Sequence, residues 1–278
     1  MDKSQGLTPQ SRFFRSDEAV ILSVDRLQMR YGGKRAVETL DDFSLDVHKG
    51  EFICILGPSG CGKSTLLSVV AGILRPTGGS VTMNGRPITG MDWHRTLMFQ
   101  SPTLYPWLSA YDNVAFGPRM RRMPRAAVDE RVRRYLELVG LTEFAAAKPY
   151  ELSGGMKQRV ALARALVSEP SVILMDEPFG ALDAFTRTNM QVLIRDIWRK
   201  HNNTLLLITH DVDEALALAS RVVVMSARPG RLVGMFDAMF SHPLTGTAED
   251  DAVRASDEYV KLRRAILNLI DTGEGKNR

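Results

Sequence analysis

The hydrophobic positions of the chain fall into short runs typical of buried strands, separated by segments with helical spacing. Three such runs cover 51–56 (EFICIL), 172–175 (VILM) and 204–208 (TLLLI). Each run is too short for a helix, and each is followed within two residues by a glycine, an acid or a histidine. Segments of helical length, 64–74 and 187–200, lie between them. Strands that alternate with helices predict a mostly parallel, buried sheet.

Two regions depart from this alternation. Residues 20–47 contain short β-like runs between turn residues, and 80–88 places Asn84-Gly85 between apolar residues, which is a hairpin signal. Residues 101–156 carry prolines early and then an arginine-rich stretch with helical spacing. We interpret this segment as a helical insertion in the α/β core.

The two ends of the chain form separate segments. Residues 1–19 are polar and predict a loose N-terminal tail, 20–235 hold the main domain, and 236–278 form a C-terminal extension. A terminal helix is expected over 256–270, with Ser256 as its N-cap. Its apolar face carries Tyr259, Leu262, Ile266 and Leu269.

Composition excludes several classes of protein. The chain has 278 residues, of which 44% are apolar and 24% charged, as in a soluble globular protein rather than a collagenous or disordered one. Two cysteines, Cys54 and Cys61, do not form a disulfide framework, so a reduced, cytosolic compartment is expected. There is no secretory signal and no uncharged apolar run near the roughly 18 residues that span a bilayer, so we do not expect the chain to cross a membrane.

The first chemical motif is a glycine-rich loop, GPSGCGKST, which matches G-x-x-x-x-G-K-[ST]. Its glycines let backbone N–H groups point at phosphate oxygens, and the following helix aims its positive end at the same charge. Lys63, expected to face solvent, would reach the β- and γ-phosphates, and the Ser64 hydroxyl would coordinate Mg²⁺. The predicted nucleotide-binding residues of this phosphate loop are Gly57, Pro58, Ser59, Gly60, Cys61, Gly62, Lys63, Ser64 and Thr65.

The two cysteines are expected to differ in reactivity. Cys61 lies inside the phosphate loop, beside Lys63 and the start of a helix, and both features lower the pKa of a thiol. We therefore expect Cys61 to be reactive and to be shielded by bound nucleotide. Cys54 lies in a predicted buried strand and is expected to be inert.

Two acids end the strand-like run 172–175. Asp176 is placed to hold Mg²⁺, usually through water, and Glu177 is the candidate general base that orients or deprotonates the attacking water. An apolar run that ends in two acids is common by itself. The phosphate loop about 110 residues earlier makes the functional interpretation the better one.

A second anion site is predicted where LSGGMKQR, at 152–159, opens a helix. Ser153, Gly154 and Gly155 would present backbone N–H groups and a hydroxyl at the helix N-terminus. One nucleotide already has its phosphates in the first loop, so a second phosphate site indicates a partner chain. The alternative is an N-capped surface helix with glycines at its start.

Four single residues complete the candidate site. Tyr31 is expected to stack on adenine. Gln100 follows the strand-like run 96–99 and would reach Mg²⁺ or the attacking water. Asp183 would line a dimer interface, and His210 would contact the γ-phosphate. Such residues are usually structural when they occur alone, so these roles depend on the motifs described above.

In order and spacing, these residues resemble the nucleotide-binding subunit of ATP-binding cassette (ABC) transporters over about 20–270. The resemblance implies an α/β fold: a P-loop NTPase core with a mostly parallel sheet, an antiparallel β subdomain and a helical subdomain at about 101–156. It also implies that ATP and Mg²⁺ are the cofactors. Two copies would pair head to tail, so that each ATP lies between one subunit's phosphate loop and the other subunit's LSGG.

The resemblance further implies a transporter complex. Closure of the ATPase dimer would drive two transmembrane permease subunits, which would dock near Gln100 and 101–108. A periplasmic or lipid-anchored substrate-binding protein would complete it, with this subunit peripheral on the cytoplasmic face of the inner membrane. Segments 104–117, 175–187 and 225–232 (MSARPGRL) resemble the branch that imports nitrate, sulfonates and taurine. The expected substrate is a small anion, taurine or an aliphatic sulfonate; importers of nitrate, thiamine and pyrimidine precursors are the alternatives.

Three other functions fit the sequence less well. Soluble ABC ATPases that act on DNA separate the two phosphate motifs by a long coiled coil, whereas Lys63 and Ser153 are only 90 positions apart. ABC translation factors carry two cassettes, and this chain has one of each motif. A basic module that binds nucleic acid or lipid is less favoured, because Asp129 and Glu130 interrupt the arginine-rich stretch. A solvated helix face explains this stretch better. No nucleic-acid partner is expected. The arginines concerned are Arg119, Arg121, Arg122, Arg125, Arg131, Arg133 and Arg134.

Overall fold

The fold is built on two β-sheets, seen in a computed structural model that describes residues 19–32, 37–238, 240 and 252–274. The strands are β1 (Val20–Tyr31), β2 (Val37–His48), β3 (Phe52–Leu56), β4 (Gly78–Met83), β5 (Arg86–Pro87), β6 (Arg95–Met98), β7 (Val172–Asp176), β8 (Thr204–Ile208), β9 (Arg221–Met225) and β10 (Leu232–Asp237). The α-helices are α1 (Lys63–Val70), α2 (Ala110–Met120), α3 (Arg125–Leu138), α4 (Gly154–Leu166), α5 (Ala184–His201), α6 (Val212–Leu218) and α7 (Asp257–Glu274). Short 3₁₀ segments cover Thr142–Phe144 and Pro149–Glu151. The predicted N-terminal tail, apart from Ala19, lies outside the described residues.

The larger sheet has six strands in the order β10-β9-β3-β8-β7-β6. Every neighbouring pair except β10 and β9 is parallel, which confirms the predicted mostly parallel sheet. Strands β3 and β8 are buried along their whole length, as expected for strands with both faces covered. The carboxyl ends of parallel strands meet at one edge, so the residues that follow β3, β6, β7 and β8 are brought close together.

The smaller sheet is antiparallel, in the order β2-β1-β4-β5, and corresponds to the predicted antiparallel subdomain. Strands β4 and β5 form the predicted hairpin. Asn84 and Gly85 have φ angles of 49° and 73°, and a two-residue type I′ turn requires both to be positive. The local signal was sufficient here because the turn is set by these two residues.

The larger sheet separates two hydrophobic cores. Side chains alternate between the faces of a strand, so Cys54 and Leu56 of β3 face one core while Ile53 and Ile55 face the other. Helices α2 to α6 contribute to the first core, and α1 and the smaller sheet contribute to the second. The loop between β3 and α1, at 57–62, is therefore anchored at both ends by buried packing.

Helix α1 is shorter than the predicted 64–74, because it ends at Val70. Gly72 takes a left-handed φ of 80°, and a Cβ atom there would lie 2.2 Å from the carbonyl oxygen of Gly90. The chain turns at Gly72 because its backbone packs directly on another backbone segment. The spacing of apolar residues along the helix cannot predict this contact between Gly72 and Gly90, because the two residues are distant in the chain.

The predicted C-terminal helix forms as α7 and runs four residues beyond the predicted end at 270. The Ser256 hydroxyl accepts a hydrogen bond from Tyr259 N at 3.3 Å, and Tyr259 and Ile266 are buried. Tyr259 Oη and Arg263 Nε donate to Asp213 Oδ1 at 2.7 and 2.8 Å, which ties α7 to α6. Strand β10 runs through the predicted limit between 235 and 236, and the domain limits stay a prediction. None of the described helices has the length and apolar character needed to cross a bilayer.

Candidate active site

The phosphate loop connects β3 to α1 at the carboxyl edge of the larger sheet. Gly62 is the N-cap of α1 with a left-handed φ of 104°, and a Cβ there would lie 2.9 Å from Thr39 O. Lys63 Nζ donates to the carbonyl oxygens of Gly57 and Pro58 at 2.7 and 2.9 Å, and Lys63 is only 7% exposed. The expectation that Lys63 faces solvent is therefore wrong, because the loop curls around its ammonium group.

Ser64 meets the first of the two acids. Its hydroxyl lies 3.1 Å from Asp176 Oδ1, although the two residues are 112 positions apart. Burial raises the pKa of the Asp176 carboxyl, and the hydrogen bond from Ser64 opposes that change. The donor set of one hydroxyl and one carboxylate suits Mg²⁺, which binds a few protein oxygens and completes its shell with phosphate and water. Within the described part of the chain, no cluster of three or more His, Cys, Asp or Glu side chains competes as a metal site.

The Glu177 side chain lies where the carboxyl ends of β6, β7 and β8 meet. Its Oε2 atom lies 3.5 Å from Gln100 Nε2, after β6, and 3.4 Å from His210 Nδ1, after β8. The Glu177 backbone takes a left-handed φ of 44°, which is uncommon for a residue other than glycine, and its N–H donates to Ile208 O at 3.0 Å. The structure thus brings together all three predicted catalytic residues.

Tyr31 lies beside the phosphate loop at the end of β1. Its hydroxyl is 3.5 Å from Thr65 Oγ1, and the residue is 40% exposed. The ring is thus exposed next to the phosphate loop, and its stacking on adenine stays a prediction.

The LSGG segment lies at the start of α4, and Asp183 lies at the start of the neighbouring helix α5. Ser153 caps α4 and accepts a hydrogen bond from Met156 N at 3.2 Å. Asp183 caps α5 by accepting from Thr186 N at 3.0 Å, and this bond holds the pKa of Asp183 below its usual range. A Cβ at Gly155 would lie 2.4 Å from Thr186 Cγ2, so the two helix starts are in contact. Gly154 faces open space.

The family model for ABC transporters matches residues 40–180, which include the phosphate loop, Gln100, the LSGG segment and both acids. The chain belongs to the ABC transporter family. Taurine import ATP-binding protein TauB of Roseobacter denitrificans is 47% identical over 251 residues, covering 90% of this chain and 93% of the relative. The protein of the same name from Chromobacterium violaceum is 47% identical over 246 residues, covering 88% of this chain and 94% of the relative.

Two solved structures of ABC cassettes are similar to this one. The dimeric ATP-binding cassette MJ0796, bound to ADP and Pi in a post-hydrolysis state, has a TM-score of 0.69 and 29% identity, covering 78% of this chain and 99% of its own. CbiO1 of Clostridium perfringens, part of the transporter complex cbiONQ, has a TM-score of 0.73 and 28% identity, covering 94% of this chain and 100% of its own. The family model and the two sequence relatives confirm the predicted family, its branch and the class of ATP hydrolase, and the solved structures confirm the cassette fold.

This ABC subunit also contains a buried polar network next to His210 that was not predicted from the sequence. Thr209 Oγ1 donates to Glu214 Oε2, and Gln191 Nε2 donates to Glu214 Oε1 at 2.8 Å. The N–H of Asp211 donates to Thr209 Oγ1 at 3.0 Å. Burial raises the pKa of Glu214. The sequence does contain an indication of this network, because an acid lies within the apolar segment VDEALAL of α6. A buried carboxyl group needs hydrogen-bond partners.

The expectation that Cys61 is reactive is also wrong in this ABC subunit. Cys61 is only 1% exposed, and burial raises the pKa of its thiol despite the opposing charge of Lys63. The Lys63 ammonium is engaged by loop carbonyl groups and lies 3.9 Å from Cys61 Sγ. Cys54 is fully buried, with its thiol pKa raised well above the ordinary value, as inertness requires.

Proposed function

We propose that this chain is the ATP-hydrolysing subunit of an ABC importer for taurine or an aliphatic sulfonate. One observation carries the ATPase assignment: Asp176 meets Ser64 of the phosphate loop while Glu177 meets Gln100 and His210, all at one sheet edge. The choice of substrate rests on the similarity to the taurine import proteins over about 90% of the chain.

The phosphate loop binds the triphosphate. Backbone N–H groups between Gly60 and Thr65 bind the phosphate oxygens, and Lys63 exchanges the carbonyl oxygens of Gly57 and Pro58 for the β- and γ-phosphates. Ser64 and Asp176, with Gln100, would hold Mg²⁺, which supplies positive charge to the phosphate oxygens when it is bound. Tyr31 stacks on the adenine ring.

Glu177 acts on the attacking water. Its carboxylate accepts a proton as the water oxygen bonds to the γ-phosphorus, and the bond from that phosphorus to the bridging oxygen of ADP breaks. His210 Nδ1 lies 3.4 Å from Glu177 Oε2 and would hold the water and the γ-phosphate in line. Gln100 Nε2 approaches the same Oε2 atom at 3.5 Å and helps to orient the carboxylate.

Each complete site requires a second copy of the chain. Gly154 lies open at the start of α4, where backbone N–H groups are available to an anion. We assign Ser153, Gly154 and Gly155 to the triphosphate held by the opposite phosphate loop, and Asp183 to the interface between the two subunits. Two-fold pairing of identical chains then creates two equivalent sites.

Mixing two damaged chains is expected to restore ATP binding. Lys63→Ala spoils the phosphate loop and Ser153→Arg spoils the signature, so each homodimer has two defective sites. A mixed dimer places both lesions in one site and leaves the other intact. With Glu177→Gln in both chains to prevent consumption, the mixture should retain more ATP through rapid gel filtration than either variant alone.

The control for this experiment is a mixture of two differently tagged Lys63→Ala, Glu177→Gln chains, which contain no intact site in any combination. Mixed dimers are verified by sequential purification on the two tags. Composite sites are rejected if verified mixed dimers retain no more ATP than this control.

The complex is expected to include two permease subunits and a periplasmic or lipid-anchored substrate-binding protein, with this subunit on the cytoplasmic face of the inner membrane. The segment 101–108 supports permease docking, because Trp107 is 69% exposed on a braced loop. The buried Asn113 amide accepts from Tyr105 N at 2.8 Å and donates to Leu108 O at 3.2 Å. An aromatic side chain on a rigid loop is a typical anchor for a protein partner.

Taurine uptake tests the substrate. The transporter, purified with its permease and binding protein and placed in proteoliposomes, is expected to accumulate labelled taurine only with ATP. Excess unlabelled aliphatic sulfonate should compete, whereas nitrate and thiamine should not. A transporter carrying Glu177→Gln is the matched control. Uptake of nitrate or thiamine in place of taurine would overturn the substrate and leave the ATPase assignment standing.

A further inference from the structure

The segment MSARPGRL has no role in the mechanism above, yet it lies against the phosphate loop. It forms the connection between β9 and β10, and we call residues 226–231 the β9–β10 loop. Arg228 Nε and Nη2 donate to Gly60 O at 3.2 and 3.0 Å. A Cβ at Gly230 would lie 2.1 Å from Cys61 O, so only a glycine allows this approach. Two consecutive carbonyl groups of the phosphate loop thus contact the β9–β10 loop.

The β9–β10 loop is itself held in place. Gly230 N donates to Thr39 O at 2.9 Å, and Asp41 N donates to Gly230 O at 3.2 Å, which joins the loop to β2. Within the loop, Ser226 N donates to Arg231 O at 2.9 Å. Arg231 forms an ion pair with Asp41. The loop therefore links the smaller sheet to the phosphate loop.

The geometry of a peptide unit explains what these contacts do. The C=O of Gly60 and the N–H of Cys61 belong to one planar unit, and so do the C=O of Cys61 and the N–H of Gly62. Fixing a carbonyl group therefore fixes the direction of the N–H group on the opposite edge of the unit. Phosphate binding by such a loop depends on the direction of its N–H groups.

We propose that Arg228 and Gly230 of the β9–β10 loop are positioning residues for nucleotide binding, which fix two consecutive peptide units of the phosphate loop so that the Gly62 N–H group is aimed at the nucleotide phosphates. Arg228 fixes the unit between Gly60 and Cys61 by hydrogen bonding, and the N–H group of this unit donates to Pro58 O at 3.3 Å within the loop. Gly230 fixes the next unit, between Cys61 and Gly62, by close packing. This inference rests on the proposed ATPase function. It also explains why a loop 168 positions away from Gly60 carries an arginine and a glycine in this arrangement.

Gly230→Ala, Arg228→Gln and Arg228→Lys test the proposal in the full-length chain. Gly230→Ala must push Cys61 O away, and misdirecting a hydrogen bond to a charged phosphate should weaken ATP binding by about 10- to 100-fold. Arg228→Gln should weaken it less, and Arg228→Lys should recover part of the loss, because one donor and the positive charge remain. The turnover number at saturating ATP should stay near that of the unchanged chain, since Glu177, Gln100 and His210 are untouched.

Gly90→Ala is the matched control, because a Cβ at Gly90 meets no atom within 4 Å. Equilibrium binding of ATP, KM, kcat and the melting temperature without nucleotide are measured for each chain. Arg228 is exposed, so its variants should fold even if Gly230→Ala does not. The proposal is overturned if folded Arg228→Gln or Gly230→Ala binds ATP as Gly90→Ala does, or if kcat falls while affinity is kept. If the unchanged chain neither binds nor hydrolyses ATP, the proposed function fails instead.

Discussion

Replacing Glu177 with glutamine is expected to slow ATP hydrolysis by about 10²- to 10⁴-fold while leaving ATP binding intact, because the amide keeps the shape of the side chain and loses its basicity. The neighbours of Glu177 Oε2 support this role, since Gln100 Nε2 and His210 Nδ1 approach the same oxygen at 3.5 and 3.4 Å. An amide in this position can still contact both neighbours. Bound ATP would then accumulate, and with it the closed dimer.

Size-exclusion chromatography with ATP and Mg²⁺ measures the dimer, and phosphate release measures turnover. Glu137→Gln is a suitable control, because it makes the same chemical change on the exposed face of α3. Glu137→Gln should match the unchanged chain in both assays. A Glu177→Gln chain that stays monomeric with ATP and turns over at the full rate contradicts the role of general base.

Removing the ammonium group of Lys63 is expected to lower ATPase activity by about 10²- to 10³-fold, the usual loss when one preorganised charge that stabilises the transition state is deleted. The structure adds a second consequence, because Lys63 is buried and its Nζ bonds to Gly57 O and Pro58 O. Lys63→Ala would lose both hydrogen bonds and leave a space under the loop. Lys63→Met keeps most of the buried stem and isolates the effect of the charge.

Both variants are compared with Lys200→Ala, which removes an exposed lysine from the last turn of α5. Steady-state ATPase activity and thermal unfolding are measured together, so that loss of turnover is separated from loss of fold. Lys63→Met should unfold near the temperature of the unchanged chain and still show the loss of about 10²- to 10³-fold in ATPase activity. Near-normal turnover by a folded Lys63→Met chain would refute the phosphate-loop assignment.

Several elements followed from the sequence because their causes are local. The buried runs of β3, β7 and β8 lie where the apolar residues cluster, and the hairpin at Asn84-Gly85 depends only on the two residues that take positive φ angles. The cap at Ser256 likewise needs only its own turn. The order and spacing of the phosphate loop, LSGG and the two acids were enough to identify the family, as the match over 40–180 confirms.

Other properties required contacts between residues far apart in the chain. The end of α1 depends on Gly72 meeting Gly90, and the low reactivity expected of Cys61 depends on its burial rather than on the charge beside it. Lys63 was expected in solvent and is enclosed by its own loop. The spacing of residues along a helix or loop does not predict whether a side chain is buried, because burial depends on which distant segments pack against it.

The sequence by itself determined the core strands β3, β7 and β8, the hairpin and the residue types that bind and hydrolyse a nucleotide, since these follow from local hydrophobic pattern and motif chemistry. Only the tertiary structure decided which side chains meet. Gln100, Glu177 and His210 converge because β6, β7 and β8 are adjacent parallel strands that end at one edge. Arg228 reaches Gly60 because β9 lies beside β3, and strand order is fixed by the packing of the whole sheet.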